Sequence, residues 1–488
     1  MKLTELISQL TPIQVIGSAD IDISSICFDS RLVNQGSLFV AQTGTSVDGH
    51  TFIPMAISKG AVAVVLEQLP DNMPDNICFV QVSNSSYALG IIAHTFYGEP
   101  SKQLTLVGVT GTNGKTTIAT LLYEMMQQLG HKAGLLSTVV NYIDRQAVPS
   151  THTTPDSIQL NALLRQMVDA GCQYAFMEVS SHSIAQERIA GLCFDGALFT
   201  NLTRDHIDYH KTFDNYRDTK KRLFDSLSAT AFAVTNKDDR NGLVMTQNTK
   251  AHVYTYSTKT VADFNARILE EGFDGMLIEL NRQQVFVPLV GRFNVENLLC
   301  IYGAATCLGV EPTEALRVLS MLKPVNGRFE TIHSPKGWTA IIDYAHTPDA
   351  VLNVINTIND ILKSQNNRQD TPARLITVIG CGGNRDKGKR PMMASIAKNN
   401  SDQLILTSDN PRDEEPQDII NDMLAGLTPE QQLSTLVIED RRQAIRTACT
   451  LAKKGDVILV AGKGHENYQI IKGTKHHFDD HEEARAMI

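Results

Sequence analysis

The chain has 488 residues, 42% of them hydrophobic and 20% charged, a composition and length that exclude a disordered chain and a single compact core and predict two to four domains. With 44 Lys+Arg against 53 Asp+Glu the net charge is −9, and no Lys/Arg-dense segment offsets it, which argues against a nucleic-acid binder. The N-terminal "MKLTELISQLTPIQ" lacks a signal-peptide core and no run approaches the roughly 20 apolar residues of a membrane span, so a cytoplasmic protein is expected.

Residues 1 to about 100 mix short apolar runs, "GSLFVA" and "AVAVVLE", with turn residues, and end near "GEPSKQ", a polar stretch that reads as a linker. From "QLTLVGVT" onward apolar β-rich runs alternate with helical patterns. "YAFMEVS", "GALFTNLT" and "AFAVTN" read as buried parallel strands, the pattern of an α/β domain. A third region, from about 331, repeats it: strands "WTAIIDYA", "RLITVIG", "DQLILTSDN", "TLVIED" and "DVILVAGKG" are separated by helical segments such as "DAVLNVINTINDILK" and "RQAIRTACTLA". The expectation is a doubly wound sheet, and three α/β domains over 1–100, 101–330 and 331–488. The eight cysteines show no CxxC pair and no metal-ligand spacing, as expected of reduced thiols.

In "LVGVTGTNGKTTIATLLYEMM" a strand, a glycine loop and an amphipathic helix follow one another. Gly111 and Gly114, flanking Thr112 and Asn113, let backbone N–H groups wrap phosphates. Lys115 reaches the terminal phosphates, and Thr116, ahead of Thr117, offers Mg²⁺ a hydroxyl at the helix N-terminus. Val109 stands where the strict phosphate-loop pattern has glycine. A GTPase-type switch has one point in its favour, "NKDD" at 236–239. Between the loop and that tetrapeptide no Asp-x-x-Gly occurs, so the γ-phosphate sensor of such a switch is missing. Glu178 ends the strand "YAFMEVSSH" and His206 follows the next strand, so both can reach the phosphate-loop edge of the sheet as metal ligands. A buried structural glutamate and a capping histidine are the bland readings.

The loops "DYAHTP", "GCGGNRDKGKRP", "DNPRDEEP" and "GKGHE" each follow the C-terminal end of a predicted strand, where open α/β sheets bind ligands. "SDNPRDEEP" (408–416) sets four carboxylates around a single Arg412. Either Arg412 closes an exposed intraloop ion pair with Asp413 or Glu414, worth little, or it reads a ligand.

"TGTNGKTT", "MEVSSH", "TNLTRDHIDYH", "GRFNVENLL", "NGRFE" and "DYAHTP", in this order, resemble the successive motifs of the Mur ligases, the ATP-dependent amino-acid-adding enzymes of peptidoglycan synthesis. Folylpolyglutamate synthetases share the loop and general plan. "FDSRLVNQGSLFVAQTGTSVDGH" and "STHTTPDS", followed by "SSHSIAQERI", resemble the branch that adds the third residue of the stem peptide. The resemblance spans essentially the whole chain. It implies an N-terminal UDP-binding domain, a central ATPase-like parallel sheet and a C-terminal Rossmann-like amino-acid-binding domain.

By that resemblance Phe28, Ser30, Thr45, Ser46 and Val47 hold the uridine diphosphate end of UDP-N-acetylmuramoyl-L-alanyl-D-glutamate, and His152, Thr153, Thr154, Ser180, Gln186 and Arg188 its sugar-peptide. Asn294, Asn297, Arg328, Asp343 and His346 lie near ATP. Two Mg²⁺ ions are implied, one served by Thr116 and Glu178, the other by Glu178, His206 and Lys220 carbamylated by CO₂; Lys221 is the adjacent competitor. Arg385, Asp409, Asn410, Pro411, Arg412, Gly462 and Glu466 take meso-diaminopimelate, and the L-lysine-adding homologue is the rival. A guanidinium pairs bidentately with the far carboxylate that lysine lacks. The reaction implied runs through an acyl phosphate in a monomeric cytoplasmic enzyme.

Overall fold

A computed structural model describes residues 1–44, 47–150, 153–366 and 372–488. The expected site residues Thr45, Ser46 and His152 lie outside the described residues.

Three main sheets succeed one another along the chain, as the α/β reading anticipates. The first holds strands Ser25–Cys27, Ser37–Val40, Ala61–Leu66 and Cys78–Gln81 in parallel, with Gln14–Ile16 antiparallel at one edge. The segment "GEPSKQ" is not a loose linker. Pro100 opens a 3-10 turn over Pro100–Lys102, and Ser101 is buried, bonded to His94 Nε2 (2.8 Å) and to the Cys193 N–H (2.9 Å). Packing against the central sheet turns a polar Gly/Pro stretch into a fixed corner.

The central sheet has 11 strands. Its parallel middle carries Ala133–Leu136, Tyr174–Glu178, Thr105–Thr110, Gly196–Phe199, Phe232–Asn236 and His252–Ser257 side by side. Thr105–Thr110, which feeds the glycine loop, lies between Tyr174–Glu178 and Gly196–Phe199. Both loops that follow these neighbours therefore border the phosphate loop. On one flank Asn141–Ile143 and Gln146–Val148 extend the sheet antiparallel; on the other Phe264–Gly272 joins in parallel beside His252–Ser257, and Gly275–Leu280 and Gln283–Val287 follow antiparallel.

The C-terminal sheet runs Glu330–His333, Thr339–Asp343, Val457–Ala461, Leu375–Ile379, Gln403–Leu406, Thr435–Val437, with only the first strand antiparallel. Alternate residues bury in opposite layers: Ile341, Leu375, Leu404 and Leu459 in a core shared with helices Pro348–Asn366, Lys389–Asn399 and Pro416–Leu424, and Ile342, Ile376, Ile405 and Ile458 in a core shared with helix Arg441–Leu451. This is the period of two of strands covered on both faces. The last strand inserts between the first two parallel ones, so the chain reverses direction across the sheet there. All four loops singled out in the sequence leave C-terminal strand ends.

Candidate functional site

At the central sheet's edge the glycine loop uses the backbone that its residues permit. Gly111 and Gly114 have φ of 149° and 88°, and a Cβ on Gly111 would meet Thr200 Oγ1 at 1.9 Å, so only glycine fits that approach. Helix Lys115–Gln128 begins directly after, aiming its free N–H groups at the loop. Lys115 Nζ is folded onto the loop's own carbonyls, 3.0 Å from Gly111 O and 2.9 Å from Thr112 O. Burial pushes its pKa down, against the pull of Glu178 and Asp205.

Thr116 and Glu178 meet as expected. Thr116 Oγ1 donates to Glu178 Oε1 (2.9 Å), which also accepts the Thr138 N–H (2.7 Å), and both side chains are buried. A hydroxyl and a carboxylate side by side are hard oxygen donors. Among the described residues no three His, Cys, Asp or Glu side chains gather closely enough to hold a metal by themselves. That suits Mg²⁺, which takes one or two carboxylates and completes its shell with substrate phosphates and water.

His206 has φ 54°, opens the short helix Ile207–His210, and pairs with Asp205 across 3.3 Å while its ring meets His182 edge-on at 4.6 Å. Burial pushes His206 down to about 3 despite the Asp205 charge, so the ring is neutral and able to ligate.

Lys220 is inside, not solvated. It is 1% exposed, with Nζ 2.8 Å from Gly111 O and 4.9 Å from the Tyr216 ring centroid. No carboxylate lies in ion-pair reach among the described residues, and burial, with Lys115 adding repulsion, pushes the amine well below its ordinary pKa. Helix Phe213–Asp225 buries Tyr216, Lys220, Leu223 and Phe224, one helical stripe, whereas Lys221 points out to Asp225 and Asn248. That stripe, at i, i+4, i+7 and i+8, is a sequence signal that would separate the two lysines where the sequence reading used only family register.

The C-terminal half reaches this edge through Arg328, Asp343 and His346. Arg328 Nη2 donates to Thr116 Oγ1 (3.1 Å), its guanidinium lies 4.5 Å from the Tyr344 ring centroid, and its buried Nε has no partner among the described residues. Asp343 accepts the N–H groups of Phe329 and Ala345, both at 2.7 Å, and burial pushes its pKa up. His346 bonds the Tyr344 carbonyl (2.8 Å), and burial pushes it down to about 4. Asn113 on the loop donates to Asp349 (3.1 Å), a contact between residues 236 positions apart that no local pattern announces. Asn294 and Asn297 bond each other (3.1 Å), and a Cβ on Gly114 would meet Asn297 Oδ1 at 2.5 Å. Thr117 is buried in the first turn of the helix.

Next to Glu178 a polar cluster assembles from the expected sugar-peptide residues. Thr154 Oγ1 donates to Glu178 O (2.9 Å), Ser180 caps helix Ser181–Ala185, and Arg188 binds Gln186 Oε1 through Nε (3.0 Å) and the Thr154 carbonyl through Nη1 (2.8 Å). Thr153 accepts from Thr138 Oγ1 (3.1 Å). Phe28 and Val47 are exposed on the first domain, and Ser30 is buried against Met55. The side chains of "NKDD" are spent locally: Asn236 on Thr200 O, Asp238 on the Thr258 N–H, Asp239 on the Leu202 N–H. None is left to read a base.

At the C-terminal sheet's edge, Arg412 makes no ion pair with Asp413 or Glu414. Its Nη1 donates to Gly383 O (2.8 Å), and a Cβ on Gly382 would meet that same Nη1 at 2.8 Å and Arg385 Cγ at 3.9 Å, so both arginines flank one glycine. Arg385 is exposed. Gly462, φ 118°, lies against Asp409, whose Oδ2 a Cβ there would meet at 2.9 Å. Pro411 is buried, and its carbonyl would meet a Cβ on Gly383 at 1.9 Å. The acids are partly spoken for by a residue that the sequence reading passed over. Lys463, 0% exposed, stands 3.3 Å from Asn410 Oδ1, 3.5 Å from Glu466 Oε2 and 3.6 Å from Asp409 Oδ1, and Asn410 Nδ2 donates to Glu466 (2.6 Å). Burial and the Asp409 charge push Glu466 up. For Asp409 burial pushes the same way, but Lys463, Arg441 and Arg412 outweigh it and bring the pKa down.

Three family models match in succession: "Mur ligase family, catalytic domain" over residues 22–97, "Mur ligase middle domain" over 109–305 and "Mur ligase, glutamate ligase domain" over 327–464. Curated proteins named UDP-N-acetylmuramoyl-L-alanyl-D-glutamate--2,6-diaminopimelate ligase are similar end to end. The Phocaeicola vulgatus protein is 59% identical over 488 residues (100% of this chain, 99% of the relative), and the Parabacteroides distasonis protein 60% over the same coverage. A solved structure with that name superposes with TM-score 0.69 at 32% identity, covering 100% of this chain and 98% of the other.

Proposed function

The chain belongs to the Mur ligase family, and from that footing we propose that it joins meso-2,6-diaminopimelate to the D-Glu γ-carboxyl of UDP-N-acetylmuramoyl-L-alanyl-D-glutamate at the expense of ATP. One observation carries the choice of amine. Arg412 stands at the ligand edge of the C-terminal sheet with no carboxylate of its own chain to pair with among the described residues, beside Arg385. Its guanidinium would take the far carboxylate of diaminopimelate.

The phosphate loop, Lys115 and Arg328 would hold ATP's phosphates, with Asn294, Asn297, Asp343 and His346 around the nucleotide. Lys115 would then leave the loop carbonyls for the phosphates and offset the charge of two anions brought together when the γ-phosphoryl group passes to the carboxylate. The amine attacks the acyl phosphate carbon, phosphate departs, and ADP and phosphate are released. Thr154, Ser180, Gln186 and Arg188 would orient the peptide carboxylate, and Phe28, Ser30 and Val47 the uridine end. The Arg328–Thr116 contact supports closure of the C-terminal domain over the loop, which would exclude the water that hydrolyses an acyl phosphate.

Thr116 and Glu178 would hold one Mg²⁺, and Glu178, His206 and Lys220 a second. Bound there, the metal supplies charge neutralisation at the phosphoryl oxygens. Lys220 would be converted to a carbamate: burial lowers the pKa of its amine, whose neutral form would attack CO₂, forming an N–C bond as one C=O π bond opens and one proton leaves, so that a carboxylate-like ligand would replace a cation. The same reading divides the chain at about 100 and 330, one domain per substrate, in a monomer working in the cytoplasm. No helix among the described residues is long and apolar enough to cross a membrane.

The test is phosphate release with ATP, Mg²⁺ and the UDP-linked dipeptide, offering meso-diaminopimelate or L-lysine in parallel and weighing the product. The tripeptide mass with diaminopimelate alone is expected; a lysine product in its place overturns the choice of amine.

A further inference from the structure

The loops that carry Arg385 and Arg412 are fastened to each other. The Gly383 N–H donates to Asn410 O (2.9 Å), Asp413 N–H to Asn384 Oδ1 (3.1 Å), Asn384 N–H to Glu414 Oε1, and Arg412 Nη1 to Gly383 O (2.8 Å). Beneath them lies Arg390, 0% exposed, in the first turn of helix Lys389–Asn399. Its Nη1 and Nη2 bind the two oxygens of Glu414 at 3.0 and 2.9 Å, Nη1 also reaches Asp422 Oδ2 (2.8 Å), and Nη2 reaches Gly382 O (3.2 Å). One guanidinium therefore grips the carboxylate of the 408–416 loop, a helix behind it, and the backbone of the 380–391 loop. A bidentate, charge-assisted pair is stiff as well as strong.

Two residues in these loops pay for the arrangement in backbone conformation. Asn384 has φ 53° and Arg412 φ 55°, a region sparsely used by non-glycine residues and kept only where the surroundings impose it. Hydrogen bonding to Arg390 holds Glu414 down to about 2, so the pair stays ionised throughout the neutral range.

We infer that the Arg390–Glu414 pair is a specificity-setting brace: it fixes the spacing of Arg385 and Arg412 so that both face one carboxylate of the incoming amino acid. Both are positioning residues and neither touches the ligand. The inference rests on the diaminopimelate reading of this edge.

The experiment compares the full-length wild type with Glu414→Gln and Asp422→Asn, measuring KM for ATP, for the UDP-linked dipeptide and for meso-diaminopimelate, and the kcat/KM ratio of diaminopimelate over L-lysine. Glu414→Gln removes the charge that spans the loops; Asp422→Asn removes Arg390's other carboxylate and leaves both loops tied. The expected result is a diaminopimelate KM raised about tenfold in Glu414→Gln, with a matching fall in the diaminopimelate preference and unchanged KM for ATP and dipeptide. Asp422→Asn stays within about twofold of wild type. Equal losses in both variants, or a fall in kcat with KM and preference unmoved, overturn the brace while leaving the ligase intact. Wild-type turnover of some other amine instead removes the premise. Should Glu414→Gln fail to fold, Arg390→Lys keeps the positive charge but cannot pair bidentately with Glu414; a diaminopimelate KM unchanged by it counts against the proposal.

Discussion

Two lysines are buried in this molecule in opposite company. Lys463, in the C-terminal domain, lies among Asp409, Asn410 and Glu466. Lys220, in the central domain, has a backbone carbonyl, a threonine hydroxyl 3.5 Å away and a tyrosine ring. A charge without a counter-charge is expensive in such a place, and burial lowers the Lys220 pKa well below its ordinary value, while Lys463 stands among carboxylates that need a partner. The difference separates a group available for chemistry from one committed to the fold. The same contrast runs between the two sheet edges: around the phosphate loop cationic groups would be left for anionic substrates, whereas around Lys463 most charge is already matched and, on the proposed reading, recognition would fall to Arg412 and Arg385.

The contrast breaks most visibly at the phosphate loop. Lys115→Met is expected to lower kcat by about 10³-fold with thermal stability retained, since its Nζ bonds only carbonyls of its own loop. Steady-state kinetics beside a melting curve checks it. Lys220→Met is expected to cost about 10²-fold in turnover, again without loss of stability, because no partner charge is orphaned. Wild-type protein equilibrated with ¹³C-bicarbonate should show one carbamate carbon by NMR that this variant lacks. Lys463→Met reverses the pattern: it leaves Asp409 and Glu466 uncompensated and should destabilise the C-terminal domain by about 3 kcal/mol, seen as an earlier denaturant transition. Equal behaviour of the two lysine variants would erase the distinction.

A further effect concerns acid. Burial pushes His94 down to about 4. The unfolded chain, titrating near 6.5, then binds more protons than the native one between those values. Stability from this group is complete above pH 6.5 and falls as the pH drops toward 4, by at most about 1.4 kcal/mol per unit. His94→Gln should flatten that limb of the stability–pH curve, read by denaturant titration.

Much of this was legible in the sequence where the information is local. The glycine loop is a contiguous pattern, and strands such as Thr105–Thr110 and Val457–Ala461 are short apolar runs ending at Gly-rich turns. What stayed hidden depends on residues far apart along the chain. Arg390 meets Glu414 24 positions away and Arg441 meets Asp480 39 away, each through a buried guanidinium whose partner no local spacing announces. Lys463 in "GKGHE" reads as one more loop lysine until Asn410 and Asp409 close around it. The antiparallel flank Phe264–Val287 has turns rather than helices between its strands, and the search for βα alternation passes over it. His206 shows the limit of motif order, which brought it to the right edge but not its pairing with Asp205.

On the proposed reading Arg412, with no carboxylate partner among the described residues, takes the carboxylate that distinguishes diaminopimelate from lysine. The most direct measurement is kcat/KM for both amines in wild type and in Arg412→Ala. The prediction is a wild-type preference for diaminopimelate that falls by about 10²-fold in the variant, with KM for ATP and for the UDP-linked dipeptide unchanged. A preference that survives Arg412→Ala intact would contradict it.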